Sequence, residues 1–449
     1  MYIITEPDLE PRLQKRYRLL VQQHLAKAES IATGLRHPPR TGSVFAAAQA
    51  AWRFYDNTAL TLPCLAAPLL ARAAVAARAA CRDYCLIVND WSPLHYTRHH
   101  SKKDRIVLCS KDDFGYMLQS ELLLSDKDGS PLAPLYLGLE AADGVHSTRR
   151  VRPLPRRAPL DELHRTFNYV TQLGLPKPCV QIVDRQGDSI LHMRRFARCQ
   201  HLFLLRGNDL RRVVHEGQSR RLPEVEATLA EQFRYVRRVQ YKGRRAWQYV
   251  AETPVTLTGA ARLKRHDQAG QTYRRIVPGK ALTLRYVVAQ VRDKRGRVLA
   301  TWRLWSNLPE RVSAATVALW YYWRWQVESF FKLLKRASQH AEQWQQEKVA
   351  AIAKRLLVAA QACLIVWALQ HAEDEESVQL RHFLIRLSGR LLKRGVASTA
   401  PALFAGMWHL LAIIDALERY ELFELQQNAA VLLQMLGLEQ DYEFVKELV

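Results

Sequence analysis

Two short apolar runs each stop at an aspartate: Tyr84-Cys-Leu-Ile-Val-Asn-Asp90 and Cys179-Val-Gln-Ile-Val-Asp184. Apolar runs this short, rich in Ile and Val, read as buried strands. A rigid sheet can hold a side chain at an open edge where a strand ends. Adjacent strands of this kind can therefore bring two carboxylates together from distant points in the chain. Two close carboxylates repel unless a proton or cation lies between them. A hard divalent ion such as Mg2+ with oxygen ligands is the usual solution.

The rest of the chain frames these runs. Residues 9–35 read as a helix stopped by His37-Pro38-Pro39, and the Ala-rich stretches 43–54 and 69–82 read as further helices. Phe114–Leu124 and Leu132–Leu139 flank a turn at residues 125–130, as in a hairpin. Helices are predicted over 160–173 and 189–199, with a short strand over 201–205. Residues 207–305 read mainly as strands, with hairpins across Lys242-Gly243 and across residues 293–296. After Pro309 the pattern is helical. These shifts predict an α/β chain of five segments: 1–75, 76–206, 207–305, 306–372 and 373–449.

Charge narrows the function. Among 449 residues, 66 Lys+Arg face 43 Asp+Glu, a formal charge of +23. Residues 151–300 hold 31 basic and 12 acidic side chains, whereas residues 401–449 hold 2 basic and 8 acidic ones. A basic middle of this density favours a polyanion, nucleic acid first, because releasing counterions from phosphates drives the binding. The acidic, Leu-rich end suits a protein partner. The longest apolar stretch, Leu356–Leu369, contains Gln361 and is shorter than a membrane span, so no membrane partner is expected. The seven cysteines form no CxxC pair, which argues against a zinc cluster and a disulfide framework. A reduced, cytoplasmic setting is expected.

A third acid comes from the helix predicted over residues 311–336. Tyr321, Arg324, Glu328 and Lys335 fall within a ~60° arc of an ideal helix. One face thus presents a phenol, a guanidinium, a carboxylate and an ammonium, a set suited to holding a phosphodiester beside a metal ion.

The pattern Y-x2-R-x3-E-x6-K formed by these four residues resembles the signature of bacterial insertion-sequence DDE transposases of the insertion-sequence-four group. Asn89-Asp90-Trp91-Ser92-Pro93-Leu94 resembles the block around that family's first Asp. Asp184-Arg185-Gln186-Gly187-Asp188 resembles the block around the second, with Gln186 in place of Glu. Trp52-Arg53-Phe54-Tyr55-Asp56-Asn57 resembles a segment of the family's N-terminal DNA-binding region.

The resemblance implies an RNase H-like catalytic core (76–206 and 306–372) interrupted by a β-rich basic insertion (207–305). It also implies a helical DNA-binding region at 1–75 and a helical dimerisation region at 373–449. Asp90, Asp184 and Glu328 would be the metal-binding catalytic triad, and Asp188 a supporting acid. Tyr321, Arg324, Lys335 and Arg53 would contact DNA, and Trp302, with Trp305 as its rival, would stack on a flipped base. The implied activity is cut-and-paste transposition by two-metal phosphoryl transfer: end nicking, hairpin formation and opening, then strand transfer. Mg2+ would be the cofactor, with Mn2+ able to substitute. The partners would be double-stranded DNA at inverted-repeat ends and target sites, bound by a synaptic homodimer on the bacterial nucleoid. The alternatives are a catalytically inactive DNA-binding regulator that keeps the fold, or a Mg2+-dependent nuclease that cuts without joining.

Overall fold

The computed structural model describes residues 5–25, 44–208, 210–266, 272–390 and 398–437. In chain order its helices are α1 (Pro11–Leu25), α2 (Val44–Asp56), α3 (Leu62–Ala80), α4 (Pro159–Gln172), α5 (Ile190–Arg198), α6 (Leu222–Thr228), α7 (Ala314–Trp323), α8 (Trp325–Lys332), α9 (Val349–His371), α10 (Glu375–Leu387), α11 (Ala400–Arg419) and α12 (Leu422–Met435). Its strands are β1 (Cys85–His95), β2 (Ile106–Val107), β3 (Phe114–Ser125), β4 (Pro131–Ala141), β5 (Gly144–Ser147), β6 (Cys179–Val183), β7 (Leu202–Arg206), β8 (Arg212–His215), β9 (Gln218–Arg221), β10 (Arg234–Tyr241), β11 (Arg244–Leu257), β12 (Ala261–His266), β13 (Thr272–Val277), β14 (Leu282–Arg292) and β15 (Val298–Ser306). The part of the predicted first helix beyond Leu25, with the prolines that follow it, lies outside the described residues.

Contacts divide the chain into two units. One is Thr61–Phe331; the other joins Met1–Leu60 to Lys332–Val449. The first two helices therefore group with the C-terminal helices, and α3 groups with the sheet, a partition different from the five segments read along the sequence.

The first unit is mixed α/β, built on one large sheet. Its order is β5-β4-β3-β1-β6-β7-β15-β14-β11-β8-β9, with β2 on β3 and β10 on β11. β1 runs antiparallel to β3 and parallel to β6, and β6 runs parallel to β7. Parallel neighbours require crossovers, and α4 and α5 supply covering helices here. Leu163, Phe167 and Val170 recur along α4, and Ile190, Met193 and Phe196 along α5, so each helix turns one apolar face inward. Leu163, Phe167, Ile190, Met193 and Phe196 join Val183, Phe203 and Leu205 of the central strands in a core that also takes Tyr286 and Trp305. Each such burial contributes about 1.5–3 kcal/mol.

Apart from β12 and β13, which pair with each other in a two-stranded sheet of their own, the strand-rich stretch after residue 206 belongs to the central sheet. β15 pairs antiparallel with β7 through Leu304↔Arg206 and Trp305↔Leu205, so the β14–β15 hairpin extends the central sheet. Within it, Leu222–Thr228 is helical where strands were expected; Pro223 sits at its first turn and the Glu224 side chain accepts from the Arg221 amide. The predicted β10–β11 hairpin forms with Tyr241 facing Arg244. Its two-residue turn, Lys242-Gly243, carries positive φ at both positions, the twist that tight hairpins need. In the β3–β4 turn, Gly129 has φ +75°, and a Cβ there would lie 2.4 Å from the Trp323 indole. Glycine lets that turn close against the end of α7.

In the helical unit, α1, α2 and α11 pack on α9. α9 is buried along most of its length, Arg355 included, whose guanidinium lies 4.3 Å from the centre of the Trp344 ring. The sequence reading understates the apolar length here. Three helices, Leu62–Ala80, Val349–His371 and Ala400–Arg419, are long and apolar enough to cross a membrane, with mean hydropathy of 1.3, 1.9 and 1.6 over their best windows. Arg355 and Gln370 bound the apolar run read along the sequence, whereas α9 continues through both. The window in Val349–His371 is 89% buried within the protein.

Candidate active site

The two aspartate-terminated runs become neighbouring parallel strands. The β1–β6 register ends at Asn89↔Val183, so Asp90 and Asp184 leave the ladder at the same level. Asn89 helps fix that register, donating through Nδ2 to Gln181 Oε1 at 3.0 Å. The Trp91 amide donates to Asp90 Oδ1 at 2.9 Å. The pairing predicted from sequence thus follows from register alone.

Glu328 joins them from α8. The helix predicted over 311–336 is not continuous: α7 ends at Trp323, α8 begins at Trp325, and Leu333–Ala337 forms a π turn. Arg324 sits at the break. Its guanidinium reaches Asp90 Oδ2 at 2.9 Å, Glu328 Oε1 at 3.0 Å and Asp184 Oδ2 at 3.6 Å. Three acids from three elements are gathered around one cation. Arg324 keeps helical dihedrals at this junction, φ −49° and ψ −30°, and so retains its i, i+4 relation to Glu328.

Asp184 has further partners. Tyr321 Oη donates to its Oδ1 at 2.9 Å, and Arg206 Nη1 lies 3.6 Å away. Asp184 would be pushed up by burial, its largest single influence. Arg324, the Arg185 amide, Tyr321 and Arg206 together outweigh burial and hold it below the usual carboxylate range. Asp90 behaves oppositely. Burial pushes it up to about 6, Arg324 and the Trp91 amide pull against that, and the neighbouring Asp184 and Glu328 add to it. Arg324 itself resists losing its proton: burial alone would lower its pKa, but Tyr321 and the three acids override it.

The other predicted residues take these places. Tyr321 and Arg324, read as phosphate contacts, are 3% and 5% exposed and are turned onto the acids. The acids are the strongest available counter-charge in a buried setting, so the guanidinium goes there. Trp302, read as base-stacking, is buried with its ring 5.6 Å from that of Tyr321, and so packs behind the phenol. Its rival Trp305 is fully buried against Tyr286. Asp188 does not join the cluster through any observed contact. Its oxygens take the Asn208 amide and Arg211, both at 2.7 Å, tying the turn after β6 to the loop after β7. Lys335 falls on the π turn, in the helical unit, and pairs with Glu342 at 3.2 Å. The predicted shared arc assumed an unbroken α-helix, and the π turn changes the phase. Arg53 is exposed on α2, also in the helical unit.

Sequence reasoning missed Arg206. It stands at the end of β7, beside a strand already marked by Asp184, and a basic residue ending the third neighbouring strand was the available signal.

Chemically, the cluster is a cation site built from hard oxygens. Three carboxylates converge on a positive group, and two of them, Asp90 within β1 and Asp184 just past β6, are held where these adjacent strands part.

No described protein family matches the sequence, and no curated protein matches it. Among solved structures the chain is similar to piggyBac transposase, seen by cryo-EM in a synaptic complex with hairpin DNA. The identity is 11%, the match covers 76% of this chain and 54% of that chain, and the TM-score is 0.30. The chain thus spans about half the length of that neighbour. A superposition this loose transfers neither residues nor activity.

Proposed function

We propose that this chain is a DNA transposase with an RNase H-like core, cutting and rejoining DNA by phosphoryl transfer at Asp90, Asp184 and Glu328. The observation that carries the reading is the convergence of these three acids, from β1, the end of β6 and α8, on one guanidinium. The Y-x2-R-x3-E-x6-K pattern and the two aspartate blocks support the same reading.

The donor set fits Mg2+, and Mn2+ as its substitute: all three ligands are hard oxygens, and Arg324 marks where positive charge is already required. When bound, the ions would neutralise charge at the attacking and leaving oxygens of a phosphodiester. This chain's own residues do the rest. β1 and β6 hold two acids at fixed separation, which prepays orientation. Tyr321 and Arg206 keep Asp184 ionised. Arg324 positions Asp90 and Glu328 together. The poor solvation of Asp90 makes a divalent ion a better partner for it than water.

In this reading the basic surface grips DNA. Arg234, Arg238, Lys242, Arg244 and Arg245 are exposed along the β10–β11 hairpin. The steps would be end nicking, hairpin formation and opening, and strand transfer, carried out by a homodimer in the bacterial cytoplasm.

The test uses DNA carrying the sequences that flank the chain's own reading frame, incubated with purified protein and Mg2+. Nicked and joined products are expected. Glu328→Ala should abolish both and leave DNA binding within about twofold, since Glu328 acts on the reacting phosphate and not on the duplex at large. Cleavage persisting in Glu328→Ala would overturn the assignment.

A further inference from the structure

Away from the acid cluster, one group of histidine and cysteine side chains stands close enough, among the described residues, to share an ion. His164, Cys199 and His201 each offer a ligand atom, and these atoms all lie within 4.8 Å of one another. His164 comes from α4, Cys199 caps the C-terminus of α5, and His201 precedes β7. We propose that His164, Cys199 and His201 form a binding site for a borderline-soft divalent transition metal, Zn2+ by donor chemistry, that staples α4, α5 and the start of β7.

The local backbone is built to present these groups. Between Cys199 and His201, Gln200 adopts a left-handed conformation, φ 56°, which costs a non-glycine residue energy. The turn is closed by amides of Cys199, Gln200 and His201 donating to Arg195, Ala197 and Phe196 carbonyls, each at 3.0 Å. The His201 carbonyl is itself pinned by Asn307 Nδ2 at 2.8 Å. The ligand spacing is therefore held by the fold.

The hydrogen bonds also select the right form of each imidazole. His201 Nε2 lies 2.8 Å from Asn168 Oδ1, so that nitrogen carries the proton and donates. Nδ1 is then left with its lone pair, met only by the Thr171 hydroxyl at 3.5 Å. A ligating histidine commonly has its other nitrogen fixed by an oxygen acceptor in this way. His164 Nδ1 is buried with no hydrogen-bond partner, a costly arrangement that a metal bond would relieve. Both rings are kept neutral, as ligands must be. Burial pushes His201 down to about 4, and burial followed by Arg195 and Arg198 lowers His164. Those arginines oppose an added cation, and a thiolate from Cys199 offsets them. One thiolate and two imidazoles suit Zn2+ and leave a fourth position open. Cys199 and His201 also line a surface hollow of about 600 Å3, which gives that position access to solvent.

The test is metal binding by the full chain, stripped with chelator and held in excess Mg2+ so that the carboxylate cluster does not compete. Zn2+ is titrated by calorimetry, and Co2+ serves as the optical reporter. The expected result is one tight equivalent of Zn2+ and a thiolate-to-cobalt charge-transfer band, which carboxylates do not give. Cys199→Ser, at an exposed position, should remove the band and weaken Zn2+ on the order of tenfold or more, with unchanged circular dichroism. His164→Gln should weaken it similarly. Asn168→Ala should cost about 10–100-fold in affinity although it touches no metal, through the loss of imidazole orientation. Absence of the cobalt band in the parent, or Zn2+ affinity unchanged in Cys199→Ser, would overturn the site. Because the readout is binding at a thiolate, its outcome is independent of whether the chain cuts DNA.

Discussion

At Arg324 one planar guanidinium serves three carboxylates, and this geometry cannot be copied by lysine. Arg324→Lys keeps the charge but loses the fork that reaches Asp90 and Glu328 through different nitrogens. Arg324→Ala leaves three acids facing one another, two of them poorly solvated, and should cost about 3–5 kcal/mol in denaturant unfolding without divalent ions. Mg2+ should restore more stability to Arg324→Ala than to the parent, because the ion replaces the missing charge. Equal Mg2+-induced shifts in melting temperature for the two proteins would argue against a shared cation position.

A second residue-scale expectation concerns Glu121 on β3, which is fully buried. Burial pushes its carboxyl up to about 8, against the opposing influence of Thr166 and Arg149. The folded state therefore holds this proton more tightly than the unfolded chain does. The stability it contributes is complete below the ordinary glutamate range and is lost as pH rises through about 8. Glu121→Gln should flatten the fall in melting temperature between pH 6 and 9, as read by thermal scans. A parallel pH profile in the two proteins would show that Glu121 does not carry it.

Among the elements, the β10–β11 hairpin makes the clearest prediction. It exposes Arg238, Lys242, Arg244 and Arg245 on a narrow, well-formed ribbon. Replacing these four by alanine should weaken DNA binding uniformly across sequences. The slope of log affinity against log salt should fall by about 0.9 for each phosphate contact removed. A sequence-selective loss with an unchanged slope would assign the hairpin to base reading instead.

The same scale shows what could be read in advance. This hairpin was legible because Lys242-Gly243 is a strong turn signal between alternating runs. Asp184 was legible because its apolar run stops where β6 ends; β1 runs on through Asp90 to His95, so the end of that run marks only where β1 parts from β6, and the i, i+4 pair Arg324–Glu328 followed from helical period. What failed was everything fixed by distant partners. The pairing of β15 with β7 joins the insertion to the central sheet, and no local pattern encodes it. The break at Arg324 and the π turn at Leu333–Ala337 occur within an unbroken helical pattern, so the shared arc of Tyr321 and Lys335 looked continuous. Trp302 looked free because its burial depends on Tyr321 and Tyr322, which come from another element. His164, Cys199 and His201 match no spaced motif, because three elements contribute them.

For the whole molecule, the question is what covers α11 and α12. Ile413, Ile414, Leu417, Leu422, Phe423, Val431 and Leu432 are each 43% or more exposed. Water-facing apolar residues at this density mark an interaction surface, and residues 401–449 also carry an excess of six acidic charges. Asp415, Glu418, Glu421 and Glu424, on or between these two helices, make DNA a poor occupant for this face. Under the transposase reading proposed above, a second copy of the chain suits it better, since joining two DNA ends would take two protomers. Replacing Ile413, Leu417 and Phe423 with Ser, Gln and Ser should leave the fold intact, because their side chains are largely in solvent already. Sedimentation of the parent with end-bearing DNA should show two protomers per complex, and the triple variant only one. Single-end binding should stay within about threefold, while products that join two ends disappear, separating assembly from the acid cluster's chemistry. A triple variant that still sediments as the paired complex would move the dimer contact elsewhere on the chain.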